Sequence, residues 1–231
     1  MQGVWKMNKV IFEFDKKKDL FNLWQTCNTD CKWNDFKSKL SPKMVKQLKG
    51  REFADCVRLL NNYSKKIHNS KIIKISENAV NQAWGLIEKK YFARLEKITG
   101  KKFGDRRIDA YLTSVPRCPY YINHNWFMVN YFSGIPHMLA TAGHELMHFH
   151  FHRNYWEEIE RQIGKERTGD LKESLTVLLN LEFKDLWVVE DRGYEPHKKL
   201  RGYIERQWNN KKDFDVLLNK CVKYINKNGI Q

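Results

Sequence analysis

Three things are scarce in this sequence, and each absence disfavours a class of protein. No stretch reaches the roughly 18 uninterrupted apolar residues of a transmembrane helix, so we predict no membrane segment. The first residues carry charges where a secretory signal peptide has its apolar core. The five cysteines, an odd number, disfavour a complete disulfide framework and favour a reducing compartment. We therefore expect a cytoplasmic protein.

Acidic residues are outnumbered, with 27 Asp and Glu against 42 Lys and Arg and a net charge of +15. Such an excess is typical of proteins that bind nucleic acids or membrane surfaces. Most of the basic residues are lysines spread over the whole length, a pattern that solvated surface lysines also produce. We expect any binding of nucleic acid to be non-specific.

The most informative stretch is His144-Glu145-Leu146-Met147-His148, which has the pattern HExxH. On a helix, residues four positions apart lie on one face, one turn from each other. His144 and His148 would therefore present two imidazoles at a spacing that suits one tetrahedral zinc ion. Glu145 would lie where its carboxylate can take a proton from water on the metal. The alternative is a helix with three unrelated polar residues, but the neighbouring residues are apolar, and unpaired polar groups are costly in a buried helix.

A catalytic zinc site needs a third protein ligand, and the motif helix itself does not supply one. His152 continues the same face but lies two turns from His144, and His150 points elsewhere. A metzincin has a further histidine six residues after the second ligand, where this chain has Asn154. The third ligand must therefore come from another segment.

Glu173 is the strongest candidate for that ligand. We predict a loop over residues 164–169 and then a helix over residues 170–183. In this otherwise apolar helix, Asp170, Glu173 and Asn180 share one stripe, whereas Glu182 lies on the opposite side. Two alternatives stay open. Asp170 and Glu173 could form an Asp-led capping box, or Glu182 could be the ligand.

The two glutamates require different paths of the chain. If the motif helix ran unbroken over residues 136–163, its end would lie about 22 Å beyond His148. A following antiparallel helix would then bring Glu182 back to the imidazoles. Glu173 can reach them only if the motif helix breaks near Arg153–Tyr155, and we predict this break.

The segment HELMHFHFH, followed by Glu173 in KESLTVLLNLEF, resembles the gluzincins, whose third ligand is a glutamate on a following helix. Within that group the chain is most similar to the ImmA/IrrE family of small metallopeptidases, over residues 105–185. The resemblance implies zinc-dependent peptide hydrolysis, with His144, His148 and Glu173 as metal ligands. It also implies that Glu145 is the general base. The chain departs from that family in having no helix-turn-helix beside the motif.

Peptide hydrolysis also requires a group that stabilises the oxyanion of the tetrahedral intermediate. The side chains downstream of the motif that can serve are Tyr155, Arg192, Tyr194 and His197. The sequence gives no firm ranking among these four groups. We predict that Tyr194 and His197 act in catalysis.

The periodicity of the chain predicts a mostly helical α+β fold with a small sheet. The resemblance implies a zincin-like domain whose sheet packs against the HExxH helix. Strands are predicted at residues 10–14, 108–115 and 126–132. We assign residues 1–100 to a helical N-terminal region, which can be integral to the same domain. We assign residues 101–231 to the zincin-like metallopeptidase core that the resemblance implies, with its C-terminal helices.

These observations together favour a zinc metallopeptidase, a hydrolase that cleaves a peptide or protein substrate. The alternative is a DNA-associated basic protein, either an SprT-like protease or a non-catalytic zinc-binding module. The chain lacks the downstream cysteine module and the third histidine typical of the SprT-like group. A degenerate zincin, which binds without cleaving, is a third reading. The sequence indicates neither the cleavage specificity nor the oligomeric state.

Overall fold

The computed structural model describes residues 9–104 and 106–229. Within them the chain is mostly helical and has a small mixed sheet, which confirms the α+β class. Residues 1–8, where we found no apolar core of a signal peptide, lie outside the described residues. In the part of the chain that the structure describes, no helix is long and apolar enough to span a membrane.

The chain divides into two compact units. One comprises residues 9–88 and 106–138 of the described chain, and the other comprises residues 89–104 and 139–229. Two long helices, α4 (Lys71–Thr99) and α5 (Ile135–Asn154), contribute residues to both units. The division at residue 100 that we draw from the sequence stays a prediction.

The first unit combines the sheet with the N-terminal helices. Its elements are β1 (Val10–Glu13), α1 (Lys16–Asn28), α2 (Pro42–Leu48), α3 (Phe53–His68), the first part of α4, β2 (Ile108–Thr113), β3 (Tyr120–Tyr121) and β4 (Trp126–Asn130). In the strand order β1-β2-β4-β3, the first three strands are parallel and β3 is antiparallel to β4. Buried apolar residues alternate along β1 and β2, which is why these segments form half-buried strands.

The strands predicted at residues 10–14, 108–115 and 126–132 are confirmed, each ending one or two residues earlier than expected. β3 was not predicted, because two residues are too few to show alternation.

At the other side of the sheet, α4 covers the edge strand β1. Asn81 accepts a hydrogen bond from the backbone N–H of Phe12 and donates one to its carbonyl, at 3.0 and 2.7 Å. Asn81 thus satisfies backbone groups of β1 that an exposed edge strand would leave free to pair with another chain.

The described part of the second unit is helical. It contains the end of α4, most of α5, α6 (Trp156–Ile163), α7 (Lys165–Leu175), α8 (Val177–Glu182), α9 (Lys184–Trp187), α10 (Lys198–Asn210) and α11 (Phe214–Asn228). α5 ends at Asn154 and α6 begins at Trp156, so the predicted break of the motif helix is confirmed. Between the two helices, Tyr155 has φ −135° and ψ −22°, outside the helical region.

The loop predicted over residues 164–169 is wrong. Gly164, with φ +80°, turns the chain by itself, and α7 starts at the next residue. A positive φ suits glycine because it has no Cβ to clash with the backbone. The polar residues that suggested a loop form the first turns of α7. The single helix predicted over residues 170–183 is also wrong, since it is divided at Thr176 into α7 and α8.

Candidate metal centre

Three side chains of the second unit converge on one point. His144 and His148 lie one turn apart on α5, with their ring centroids 4.3 Å from each other. Glu173 on α7 faces both rings: its Oε2 is 3.4 Å from Nε2 of His144, and its Oε1 is 3.3 Å from Nε2 of His148. One ligand atom from each residue lies within 4.8 Å of the other two. The structure thus brings together the three residues that we expect to bind a metal.

The distances between these atoms fit a shared ion better than direct hydrogen bonds. In a tetrahedral zinc site with bonds of about 2.0–2.1 Å, neighbouring ligand atoms lie about 3.3 Å apart. A charged N–H···O hydrogen bond is normally about 2.7–2.9 Å long. The observed 3.4 and 3.3 Å, each measured to a different oxygen of Glu173, are longer than such a hydrogen bond and leave room for an ion between the three side chains. Two imidazoles and one carboxylate are also a ligand set that catalytic zinc sites use, with a fourth position left open.

Glu173 arrives at the imidazoles because of two turns in the chain. The break at Tyr155 ends α5 soon after the motif, and Gly164 then reverses the path from α6 into α7. Glu173 lies in the second half of α7, well after its first turn at Lys165. The capping-box alternative for Asp170 and Glu173 is therefore excluded, since a capping box belongs to the first turn of a helix.

Glu182, the other candidate ligand, is engaged elsewhere. Its Oε1 accepts hydrogen bonds from Nε1 of Trp208 at 2.8 Å and from Nζ of Lys212 at 2.6 Å. These contacts tie the end of α8 to α10 and to the segment that follows it. The glutamate that faces the imidazoles is Glu173.

Gly143, immediately before the motif, lets aromatic side chains approach α5 closely. A Cβ at this position would lie 2.5 Å from the Trp187 ring, closer than such atoms ever pack, and 3.3 Å from the Tyr91 ring. The Tyr91 hydroxyl also donates a hydrogen bond of 2.6 Å to the carbonyl of Gly143. The position of His144 is fixed in part by this contact on the preceding residue.

Asp191 is a member of the site that the sequence did not reveal. Its Oδ2 accepts a hydrogen bond from Nδ1 of His144. With a proton on Nδ1, Nε2 is the ring nitrogen whose lone pair would bind an ion beside Glu173 and His148. Carboxylates that fix the tautomer of a metal-binding histidine in this way are a regular feature of zinc sites. Asp191 lies 47 residues after His144, in the connection before α10, and no local pattern marks it.

The Asp191 carboxylate is itself held in place. Its Oδ1 accepts from the backbone N–H of Gly193 at 3.0 Å, and Arg201 lies 3.1 Å away. Asn180 donates to the Asp191 carbonyl and accepts from its N–H, both at 2.8 Å. The polar stripe of the predicted helix thus has a role, since Asn180 fixes the residue that orients His144.

Replacing Asp191 by asparagine is expected to weaken zinc binding by about 10–100-fold, because the imidazole loses its orienting carboxylate. Competition with a chelator of known affinity measures the change. The matched control is Glu190→Gln, a change at the neighbouring, exposed carboxylate, which should leave the affinity unaltered. Equal zinc affinities for the two variants would contradict the role assigned to Asp191.

Glu145 completes the site. Its side chain is buried, and among the described residues no donor lies within hydrogen-bond distance of its Oε2. Burial raises the pKa of this carboxyl group to about 7. The charge of His144 lowers this pKa, and the charge of Glu173 raises it. A buried carboxylate oxygen with no donor is unusual in a protein interior and marks a position where a ligand or water belongs.

The surroundings set the charges of the ligands in the metal-free chain. Burial lowers the pKa of His148 to about 3, which keeps its imidazole neutral. Burial alone would also lower the pKa of His144, but the Asp191 carboxylate raises it to about 10. Burial opposes ionisation of Glu173, yet the neighbouring positive charge of Lys172 holds its pKa well below its usual value. Lys172, like Asp191, is a neighbour that the sequence did not reveal.

The remaining candidates occupy supporting positions. His197 is fully buried, and its Nε2 lies 3.0 Å from Oδ1 of Asp170 on α7. Tyr194 is partly buried, with its ring edge-on to that of His197, 5.9 Å between centroids. His197 thus contacts α7 through Asp170. The catalytic role expected of these two residues stays a prediction.

The other polar side chains near the motif contact residues of the chain other than the three convergent side chains. His150 points away from the ligands, as expected, and its Nε2 lies 2.8 Å from Oγ1 of Thr99. His152 stacks on Trp156, with 4.1 Å between the ring centroids. The Tyr155 hydroxyl donates to the Thr99 carbonyl at 2.7 Å, which anchors the break after α5.

Comparisons with models of known protein families, with curated proteins and with solved structures give no match to this chain. The functional interpretation therefore depends on the residues of the site.

Proposed function

We propose that the protein is a zinc-dependent peptidase with a zincin-like arrangement of the gluzincin type. The observation that carries the proposal is the convergence of three donor groups, the imidazoles of His144 and His148 and the carboxylate of Glu173. One ligand atom from each residue lies within 4.8 Å of the other two, close enough for a single ion to reach all three. A helix that carried unrelated polar residues would have no reason to hold them at this spacing.

Each member of the site has a defined part. His144, His148 and Glu173 hold the ion, and Asp191 keeps Nε2 of His144 available as a donor. When bound, zinc supplies a Lewis acid that polarises a carbonyl group and lowers the pKa of water toward about 7. An amide carbonyl is the kind of group that needs such polarisation before water can attack it.

Glu145 moves the proton in this proposal. Its carboxylate lies beside the ligands, and its Oε2 is buried without a donor among the described residues. It accepts the proton of the attacking water and returns it to the nitrogen of the leaving amine. No other carboxylate of the site is free to do so, because Glu173 is a ligand and Asp191 is bonded to His144.

The experiment that tests the proposal is digestion of a mixed peptide library by the zinc-loaded protein, read by mass spectrometry. We expect new peptide termini that vanish with a chelator and return when zinc is added. A zinc-loaded protein that cleaves nothing would refute the peptidase and favour a zincin that binds without cleaving. Binding of nucleic acid stays an expectation from the net charge alone.

A further inference from the structure

Lys172 is a buried lysine next to a proposed metal ligand. Only 3% of its side chain is exposed, and every residue from Asp170 to Leu179 is buried. Lys172 borders a small internal cavity together with apolar side chains of α5 and α11, among them Met147 and Phe214. A lysine is rarely enclosed in this way unless an opposite charge accompanies it.

The charge that accompanies Lys172 is the carboxylate of Glu173. Nζ of Lys172 donates a hydrogen bond of 2.6 Å to Oε1 of Glu173, the shortest of the contacts described for this carboxylate. Oε2 of the same carboxylate faces Nε2 of His144 at 3.4 Å. The two oxygens thus have different neighbours. Oε1 accepts from the ammonium group and also faces Nε2 of His148 at 3.3 Å, whereas Oε2 is buried without a hydrogen-bond donor among the described residues and faces only the imidazole of His144 among these groups.

We propose that Lys172 is a positioning residue for the metal centre: its ammonium group holds Oε1 of Glu173, balances the buried carboxylate in the metal-free protein and leaves Oε2 for the ion. The inference rests on the proposed function, because it assigns to Glu173 the role of a zinc ligand. Lys172 acts through Glu173 and does not touch the substrate.

This arrangement has a thermodynamic consequence. In the metal-free protein the ammonium group is the positive charge within hydrogen-bond distance of the Glu173 carboxylate. In the zinc-loaded protein the dication compensates it as well, so Lys172 contributes less to stability. Removing one partner of a buried ion pair leaves the other uncompensated, which is strongly destabilising. Loss of the Lys172 charge should therefore destabilise the metal-free protein more than the zinc-loaded protein.

The test is thermal unfolding of the full chain with and without zinc, for wild type and Lys172→Met. We expect the substitution to lower the Tm of the metal-free protein by on the order of 10 °C. The Tm of the zinc-loaded protein should fall by much less, so zinc should raise the Tm of the variant more than that of wild type. Lys165→Met, on the same helix but exposed, is the control and should match wild type in both states.

A second pair of variants keeps the test informative if Lys172→Met does not fold. Glu173→Gln alone leaves the ammonium group uncompensated, whereas Lys172→Met with Glu173→Gln removes both charges. We expect the double variant to be more stable than either single variant without metal. Equal losses of Tm with and without zinc, additive single effects, or a double variant that fails to fold would overturn the proposal. If zinc shifts the Tm of no variant, the proposed function fails, and the metal-free double-mutant comparison still decides whether Lys172 balances Glu173.

Discussion

Glu145→Gln is expected to bind zinc as wild type does and to lose peptide hydrolysis by about 10²–10⁴-fold, the usual contribution of a general base. Glutamine keeps the size of the side chain but cannot take up the proton of the attacking water. Because Glu145 is not one of the three convergent donors, the metal centre should survive the change. Cleavage of library peptides and the zinc content of the same preparation are the two quantities to measure.

The control for this variant is Glu158→Gln, a change at an exposed glutamate on α6 that should alter neither quantity. Far-ultraviolet circular dichroism and Tm would show that Glu145→Gln folds as wild type does. Full turnover by folded, zinc-loaded Glu145→Gln would show that another group moves the proton. The mechanism proposed for the site would then be wrong, although the metal centre could stand.

We expect Glu173→Ala to lose zinc affinity and Glu182→Ala to keep it. The first removes a direct ligand, so its zinc affinity should fall by more than the roughly 10–100-fold that outer partners of a metal site contribute. The second removes the acceptor for Trp208 and Lys212 and should lower Tm without changing zinc affinity. Glu173→Gln, which preserves side-chain volume, serves as a further variant if Glu173→Ala is unstable. Zinc loss in Glu182→Ala but not in Glu173→Ala would reverse the assignment.

Local sequence patterns were sufficient to predict which three side chains converge and where three of the strands lie. The HExxH spacing places His144 and His148 on one face by helical periodicity alone. The choice of Glu173 over Glu182 followed from the face that each occupies, and it required a break near Tyr155 that the structure contains. Alternation of apolar residues located three of the strands for the same reason.

The parts that the sequence did not reveal depend on long-range packing. Asp191 and His144 meet only because α8, α9 and the following connection fold back onto α5, and nothing in the connection itself indicates this. Lys172 beside Glu173 resembles an ordinary solvated pair until the burial of residues 170–175 in the second half of α7 is known. The turn at Gly164 was taken for a longer loop, because the first turns of α7 are polar and contain a second glycine, Gly169.

The central claim is that His144, His148 and Glu173 bind one zinc ion, and the measurement that tests it most directly is metal stoichiometry. The full chain would be stripped with a chelator, equilibrated with zinc, freed of excess ion and examined by elemental analysis. We expect about one zinc ion per chain, with X-ray absorption showing nitrogen and oxygen ligands at about 2.0–2.2 Å. A chain that retains no zinc, or that binds it through cysteine sulfur at about 2.3 Å, would contradict the account.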